Sequence, residues 1–189
     1  MPQEFPPHAR KVFSGVLFEI WQWEQELYDG STATFEKLCR QNTASVLATV
    51  GDKILLQEQE QPDKPGPFPS IPGGRIERDE DPLEGATREL LEETGYVSDN
   101  WNIWREVRPS HKMAWTVYIY IARNCRRVAE PRLDPGEKIT TKLVEFDELL
   151  ALSDNPLFYD RELVTEFLRM RLDKVRLEKF KSLLFNSIP

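Results

Sequence analysis

Apolar and polar residues alternate along the first forty positions of the chain and then give way to longer apolar runs. Residues 1–10 hold three prolines and read as an irregular arm. Beyond it Val12, Val16, Phe18 and Ile20 share one parity, and Trp21, Trp23 and Leu27 take the other. A strand whose apolar face switches midway needs a bulge or two different partners. Tyr28-Asp29-Gly30 predicts a turn and residues 32–40 a second strand carrying Phe35, so residues 12–40 read as an N-terminal antiparallel hairpin. Residues 44–50 are almost continuously apolar, as in a buried strand, and Gly51-Asp52 turns them into a strand over 53–57. Residues 61–72 form a proline-rich loop. Further strands are predicted over 115–123 and 139–146, with a polar loop at 129–138 before the second and a short helix at 148–152. From Asp160 to about Phe185 apolar residues recur at helical spacing. Leu163, Phe167 and Met170 make one stripe and Val164, Leu168, Leu172 and Val175 another, which predicts one long amphipathic helix.

Between the proline-rich loop and the strand at 115 lies GGRIERDEDPLEGATRELLEETGY, residues 73–96. It contains the signals of a helix. Asp81 suits the N-cap, Pro82 the first helical position, and Glu84 the reciprocal arm of a capping box; Gly95 suits a left-handed stop. Leu83, Thr87, Leu90 and Leu91 fall toward one side, which predicts the packed face. On another face Glu89, Glu92 and Glu93 stand at i, i+3 and i+4. Like charges at that spacing repel, and acids in a last turn oppose the helix dipole, each by about a few tenths of a kcal/mol. Arg88 can reach Glu84 or Glu92 but cannot neutralise the set. A hard cation can, because clustered carboxylate oxygens beside a phosphate are the usual setting for Mg²⁺.

This stretch resembles the Nudix box, G-x5-E-x7-R-E-U-x-E-E-x-G-U with U an aliphatic or aromatic residue, at every specified position from Gly74 to Tyr96. The resemblance implies an α/β fold, an α/β/α sandwich with a mixed sheet, here preceded by the N-terminal antiparallel β-hairpin and closed by the long C-terminal helix. It also implies Mg²⁺-dependent attack of water on a diphosphate linked to another group, with Mn²⁺ as an alternative metal. Carried over by position, Glu89 and Glu93 become the main metal ligands. Glu92 becomes a further ligand or the group that orients the water, and the carbonyl of Gly73 another metal contact. Arg88 and Glu80 become the ion pair that frames helix and loop. Glycine at 73 and 74 agrees with a chain that approaches metal and phosphate too closely for a Cβ.

The additional length at both ends resembles the ADP-ribose and nucleoside-diphosphate-sugar pyrophosphatase branch. In that branch an N-terminal sheet crosses to a partner subunit and its aromatic residues stack on the base. The resemblance therefore implies a homodimer, with residues 1–42 as a dimerising arm and hairpin and 43–189 as the hydrolase domain. Phe35 is the first candidate for stacking and Trp21 the second; core or interface packing is the competing role for both. Arg40 is a further candidate for substrate contact, and His111, beside Lys112, for contact with phosphate. Two features depart from the branch. The run after the second core strand, Gln57-Glu58-Gln59-Glu60-Gln61-Pro62, lacks its arginine, and Pro109 stands about two positions closer to the box than the branch's proline. Members of the branch also place a glutamate on a loop before the last core strand. Glu137, after Gly136, takes that position as candidate base for the attacking water.

Composition narrows the partners. A formal charge of −7 over 189 residues argues against nucleic acid, whose binding rests on Lys and Arg neutralising phosphates, but not against a small nucleotide brought to a metal. Cys39 and Cys125 are the only cysteines and read as reduced thiols of a cytoplasmic protein. No stretch predicts a signal peptide or a membrane span. The expected reaction releases a nucleoside monophosphate and a sugar phosphate from ADP-ribose or a nucleotide sugar. The rivals are a Nudix enzyme acting on nucleoside triphosphates or RNA caps, and a module that senses a nucleotide without turning it over.

Overall fold

The computed structural model describes residues 5–185; Met1 to Glu4 of the proline-bearing arm and residues 186–189 lie outside the described part. Strands β1 (Arg10–Ser14), β2 (Glu19–Glu26) and β3 (Thr32–Cys39) form an antiparallel N-terminal sheet. The parity switch between Ile20 and Trp21 falls inside β2, which has two different partners, β1 and β3, and lies opposite the register shift in β1. Gly15-Val16-Leu17 turns between β1 and β2, where the Gly15 N–H donates to the Phe18 carbonyl at 2.8 Å, and a register shift at Lys11/Phe13 adds an irregularity. The predicted hairpin is β2–β3, extended by β1.

The central sheet begins with β4 (Thr43–Val50) and β5 (Lys53–Glu60), followed by the short strands β6 (Phe68–Ser70) and β7 (Gly73–Arg75). Helix α1 (Pro82–Thr94) comes next, then β8 (Tyr96–Val97), β9 (Asn100–Val107), β10 (Met113–Ala114), β11 (Val117–Arg123), β12 (Arg126–Arg127) and β13 (Lys138–Val144). The order across the sheet is β13-β5-β4-β11-β9, with β4 and β11 parallel and the other neighbours antiparallel, so the sheet is mixed. β10 runs parallel to β3 and ties the N-terminal sheet to the body.

Both faces of the central sheet are covered, which explains the unbroken apolar run on β4. Val46, Ala48, Leu55, Tyr120 and Ala122 meet Ala86 and Leu90 of α1. The opposite parity, including Leu47, Ile54, Leu56, Ile119 and Ile121, meets α2 (Phe146–Ala151), α3 (Arg161–Leu172) and α4 (Lys174–Phe185). The architecture is an α/β/α sandwich. On α1 the packed side is Ala86 and Leu90, whereas Leu83, expected there, lies at the exposed edge. A buried leucine such as Leu90 contributes about 2 kcal/mol from its apolar area.

The long C-terminal helix is two helices. Asp173 is extended, and its Oδ1 accepts from the N–H groups of Val175 and Arg176 at 3.0 and 3.1 Å, starting α4 afresh. The break folds the chain back so that the Phe167 and Phe180 rings lie 6.2 Å apart in the core. Of the two expected stripes, Leu163, Phe167 and Met170 are buried, while Leu168, Leu172 and Val175 face outward. Buried Arg123 on β11 fastens α4 by donating to the Leu183 carbonyl at 2.7 Å. No helix of the described residues is long and apolar enough to cross a membrane. Among the described residues Cys39 and Cys125 form no disulfide with each other.

Candidate active site

Local signals fix α1. Asp81 Oδ1 accepts from the Leu83 N–H at 2.9 Å, Glu84 completes the capping box, and Gly95 closes the helix at φ 74°. A side chain is excluded at Gly95 twice over, by that φ and by the Ala129 carbonyl, 2.0 Å from where a Cβ would stand. With both ends set and Ala86 and Leu90 on the sheet, the three glutamates receive different environments. Glu93 is buried, Glu89 nearly so, and Glu92 is half exposed at the rim.

Arg88 joins this helix to the loop before it. Its Nε and one terminal nitrogen donate to the two oxygens of Glu80 at 2.9 and 3.1 Å, and the same terminal nitrogen reaches the Arg75 carbonyl at 2.9 Å. The other terminal nitrogen donates to Glu89 at 2.9 Å and Glu92 at 3.1 Å. The Glu80 hydrogen bonds hold the guanidinium above its ordinary pKa, and Arg88 in turn lowers that of Glu80. Glu84, considered as an Arg88 partner, is occupied with the helix cap.

Among the described residues no cationic side chain forms an ion pair with Glu93. Its Oε2 accepts from the Gly73 N–H and from Gln57 Nε2, both at 2.9 Å. Burial pushes its pKa up to about 8, with Glu89 and Glu137 adding to the rise and the two donors opposing it. Burial also raises Glu89, against the pull of Arg88. The glycines before the helix have distinct reasons. A Cβ on Gly73, at φ 155°, would lie 2.2 Å from the Ala44 carbonyl, and one on Gly74 would lie 2.5 Å from the Glu89 carboxylate.

These groups line a cleft of about 620 Å³. Glu137, with Arg132 and Asp134 of its loop, stands on another wall, and Tyr159 to Glu162 at the start of α3 on a third. Asp160 is buried there, accepts from the Ile71 N–H at 2.8 Å and from Ser45, and is pushed up to about 7 by burial. Arg40 also faces the cleft. Its guanidinium lies 4.6 Å from the Trp115 ring centroid and 5.9 Å from that of Phe18, and its buried Nε has no hydrogen-bond partner among the described residues. Desolvation lowers its pKa.

Thus Gly73, Arg88, Glu89, Glu92, Glu93, Glu137 and Arg40 converge on one cleft, while Phe35, Trp21 and His111 are not on its walls within one chain. Phe35 lies 6.1 Å from Trp23 on the N-terminal sheet and lines a separate hollow with Ile20, Leu38 and Lys112. Trp21 stacks on Phe5 at 4.9 Å and donates to Glu19. His111 is exposed. Gln57, Tyr159 and Asp160 were not singled out from the sequence. For Gln57 a signal existed, a glutamine on the inward parity of a core strand just after Leu55.

Among the described residues no three His, Cys, Asp or Glu side chains close into a metal cage. The donor set nevertheless fits Mg²⁺, which retains several waters and takes one or two carboxylates together with substrate phosphate. Buried Glu93 lacks a counter-charge, and the Gly73-Gly74 cradle leaves no room for a side chain beside it.

A model of the NUDIX domain matches residues 40–167. The chain is 28% identical over 160 residues to a methanol dehydrogenase activator of Bacillus methanolicus, covering 82% of this chain and 86% of that protein. It is 28% identical over 153 residues to an ADP-ribose pyrophosphatase of Bacillus subtilis (strain 168), covering 79% and 83%. A crystal structure of an ADP compounds hydrolase superposes with a TM-score of 0.71 at 17% identity, over 89% of this chain and 94% of that one, a likeness of fold.

Proposed function

Since the chain belongs to the NUDIX domain family, we propose that it hydrolyses the diphosphate of a nucleoside diphosphate linked to another group, with ADP-ribose or a nucleotide sugar as substrate and a nucleoside monophosphate and a sugar phosphate as products. The observation that carries this reading is buried Glu93, with no cationic partner among the described residues, sharing a cleft with Glu89, Glu137 and Arg40, whose buried Nε has no hydrogen-bond partner there. Glu89, Glu93, Glu92 and the Gly73 carbonyl are the groups that would hold Mg²⁺ or Mn²⁺. Such a metal, when bound, neutralises the diphosphate and stabilises charge on the leaving phosphate.

Each remaining task falls to a side chain. Glu137 accepts the proton of the attacking water, whose oxygen bonds to phosphorus as the bridging oxygen leaves with the other phosphate. Arg40, held over the Trp115 ring, presents its donors to a substrate phosphate, and pairing there would satisfy its orphaned Nε. Arg88 does no chemistry; it keeps loop and helix in register. Phe35 and Trp21 stack on the base only in a homodimer, where the N-terminal sheet of one copy reaches the cleft of the other. This assigns residues 1–42 to assembly and 43–189 to chemistry. Two cysteines that form no disulfide with each other accord with work in the cytoplasm.

The intact carboxylate set favours turnover over sensing, since a binder has no need of it. The test is product analysis with Mg²⁺ over ADP-ribose, nucleotide sugars, nucleoside triphosphates and dinucleoside polyphosphates. Monophosphate release from one diphosphate-linked class supports the reading; activity confined to triphosphates overturns the substrate class.

A further inference from the structure

A strand beneath a helix ordinarily continues its inward face with apolar side chains, and β5 does not. Toward α1 it presents Leu55, then Gln57 and Gln59, and Gln61 follows at the same spacing just past its end. Leu55 belongs to the core under α1, Gln57 is fully buried and Gln59 nearly so. A buried amide left without partners costs about 1–3 kcal/mol. These amides partner one another, and in one direction.

Gln61 Nε2 donates to Gln59 Oε1 at 3.4 Å, Gln59 Nε2 to Gln57 Oε1 at 2.7 Å, and Gln57 Nε2 to Glu93 Oε2 at 2.9 Å. Ser70 Oγ on β6 adds a second donor to Gln57 Oε1 at 3.2 Å. With two donors on its oxygen and the accepting Oε2 of Glu93, which also takes the Gly73 N–H, on its other side, the Gln57 amide has one workable orientation. Its nitrogen faces Glu93. The Gly73 N–H occupies the same Glu93 oxygen, so Oε2 is engaged by two donors and Oε1 is the oxygen left to face a cation.

We infer that the Gln61-Gln59-Gln57 ladder, locked by Ser70, is a positioning device that turns Glu93 Oε1 toward a divalent metal. Gln57 itself does not line the cleft; it acts through Glu93. The inference rests on the reading of Glu93 as a metal ligand, and the ladder explains why a core strand carries glutamines where leucine or valine would pack without desolvating an amide.

The test measures Mn²⁺ binding to the full chain by electron paramagnetic resonance without nucleotide, then metal and substrate dependence of turnover. Gln57→Leu should weaken Mn²⁺ binding by about 10-fold or more. Its metal requirement for activity should rise by a similar factor, while KM for the nucleotide at saturating metal stays within about threefold. Gln59→Leu combined with Ser70→Ala leaves Gln57 in place but frees its amide to turn, and should produce a smaller loss of the same kind. Circular dichroism checks folding. Wild-type Mn²⁺ affinity in folded Gln57→Leu overturns the ladder and leaves the metal site standing. Should Gln57→Leu fail to fold, wild-type affinity in the folded double variant overturns it equally. Absence of Mn²⁺ binding by the wild type instead overturns the metal reading itself.

Discussion

Arg88 grips both oxygens of Glu80, eight residues earlier in the chain, at 2.9 and 3.1 Å. The planar fork makes that pair, and its remaining donors hold Glu89, Glu92 and the Arg75 carbonyl. Lysine carries the charge without the fork. Arg88→Lys should therefore lower stability by about 2 kcal/mol in urea unfolding and reduce kcat by about 10-fold, because loop and carboxylates lose their common anchor.

Arg40 has its charge against an aromatic ring and no carboxylate in hydrogen-bond contact among the described residues. Removing it opens a cationic gap in the cleft and takes from Glu162 the positive charge that opposes its burial. Arg40→Ala should raise KM by about 10- to 100-fold, equivalent to roughly 1.5–3 kcal/mol for hydrogen bonds to a charged group, and leave the metal requirement unchanged. Steady-state kinetics at saturating Mg²⁺ reads both.

Glu137 and Phe35 should separate the two kinetic constants. Glu137→Gln keeps the shape of the loop but removes the proton acceptor, so kcat should fall by about 100-fold with little change in KM. Phe35→Ala removes a stacking surface, so KM should rise far more than kcat falls. Retained kcat in the first variant, or an unchanged KM in the second, withdraws the corresponding role.

Asp160 makes stability depend on pH in a definite direction. Its carboxyl is pushed from an ordinary 3.8 up to about 7 by burial. The folded chain thus holds a proton at this site that the unfolded chain has released, and its contribution is complete below pH 3.8. It is lost as pH rises toward about 7. Asp160→Asn retains an acceptor for the Ile71 N–H and removes the charge. Urea unfolding of the two proteins should show the variant more stable by about 2–4 kcal/mol at pH 8 and nearly equal to the wild type below pH 4.

The parts of this protein legible in one dimension are those whose physics is local. Asp81, Glu84 and Gly95 set the ends of α1 through contacts within a few residues, and Glu89, Glu92 and Glu93 announce themselves by helical spacing. The glutamines of β5 do not. Gln57 acquires its meaning from Glu93, 36 positions later, and in the sequence it belongs to a polar run noted only for lacking an arginine. Strand β9 was overlooked because a register shift opposite Ile119/Tyr120 breaks its alternation. One long C-terminal helix was expected because the apolar period continues through Asp173; a side-chain oxygen capturing two backbone N–H groups stops the helix where periodicity does not. Phe35 and Trp21 stand apart from the cleft of their own chain, and alternation along a strand does not distinguish an aromatic side chain that packs in its sheet from one that meets a ligand.

In the proposed function buried Glu93 serves a metal that makes diphosphate hydrolysis possible. The most direct test of that role is AMP release from ADP-ribose, with and without Mg²⁺, for the wild type beside Glu93→Gln. The substitution preserves shape and the hydrogen-bonding oxygen while removing the charge. The wild type should release AMP only with Mg²⁺, and the variant should lose at least about 100-fold at saturating substrate. Equal turnover by the two proteins, or release that proceeds undiminished when metal is chelated, would contradict that role.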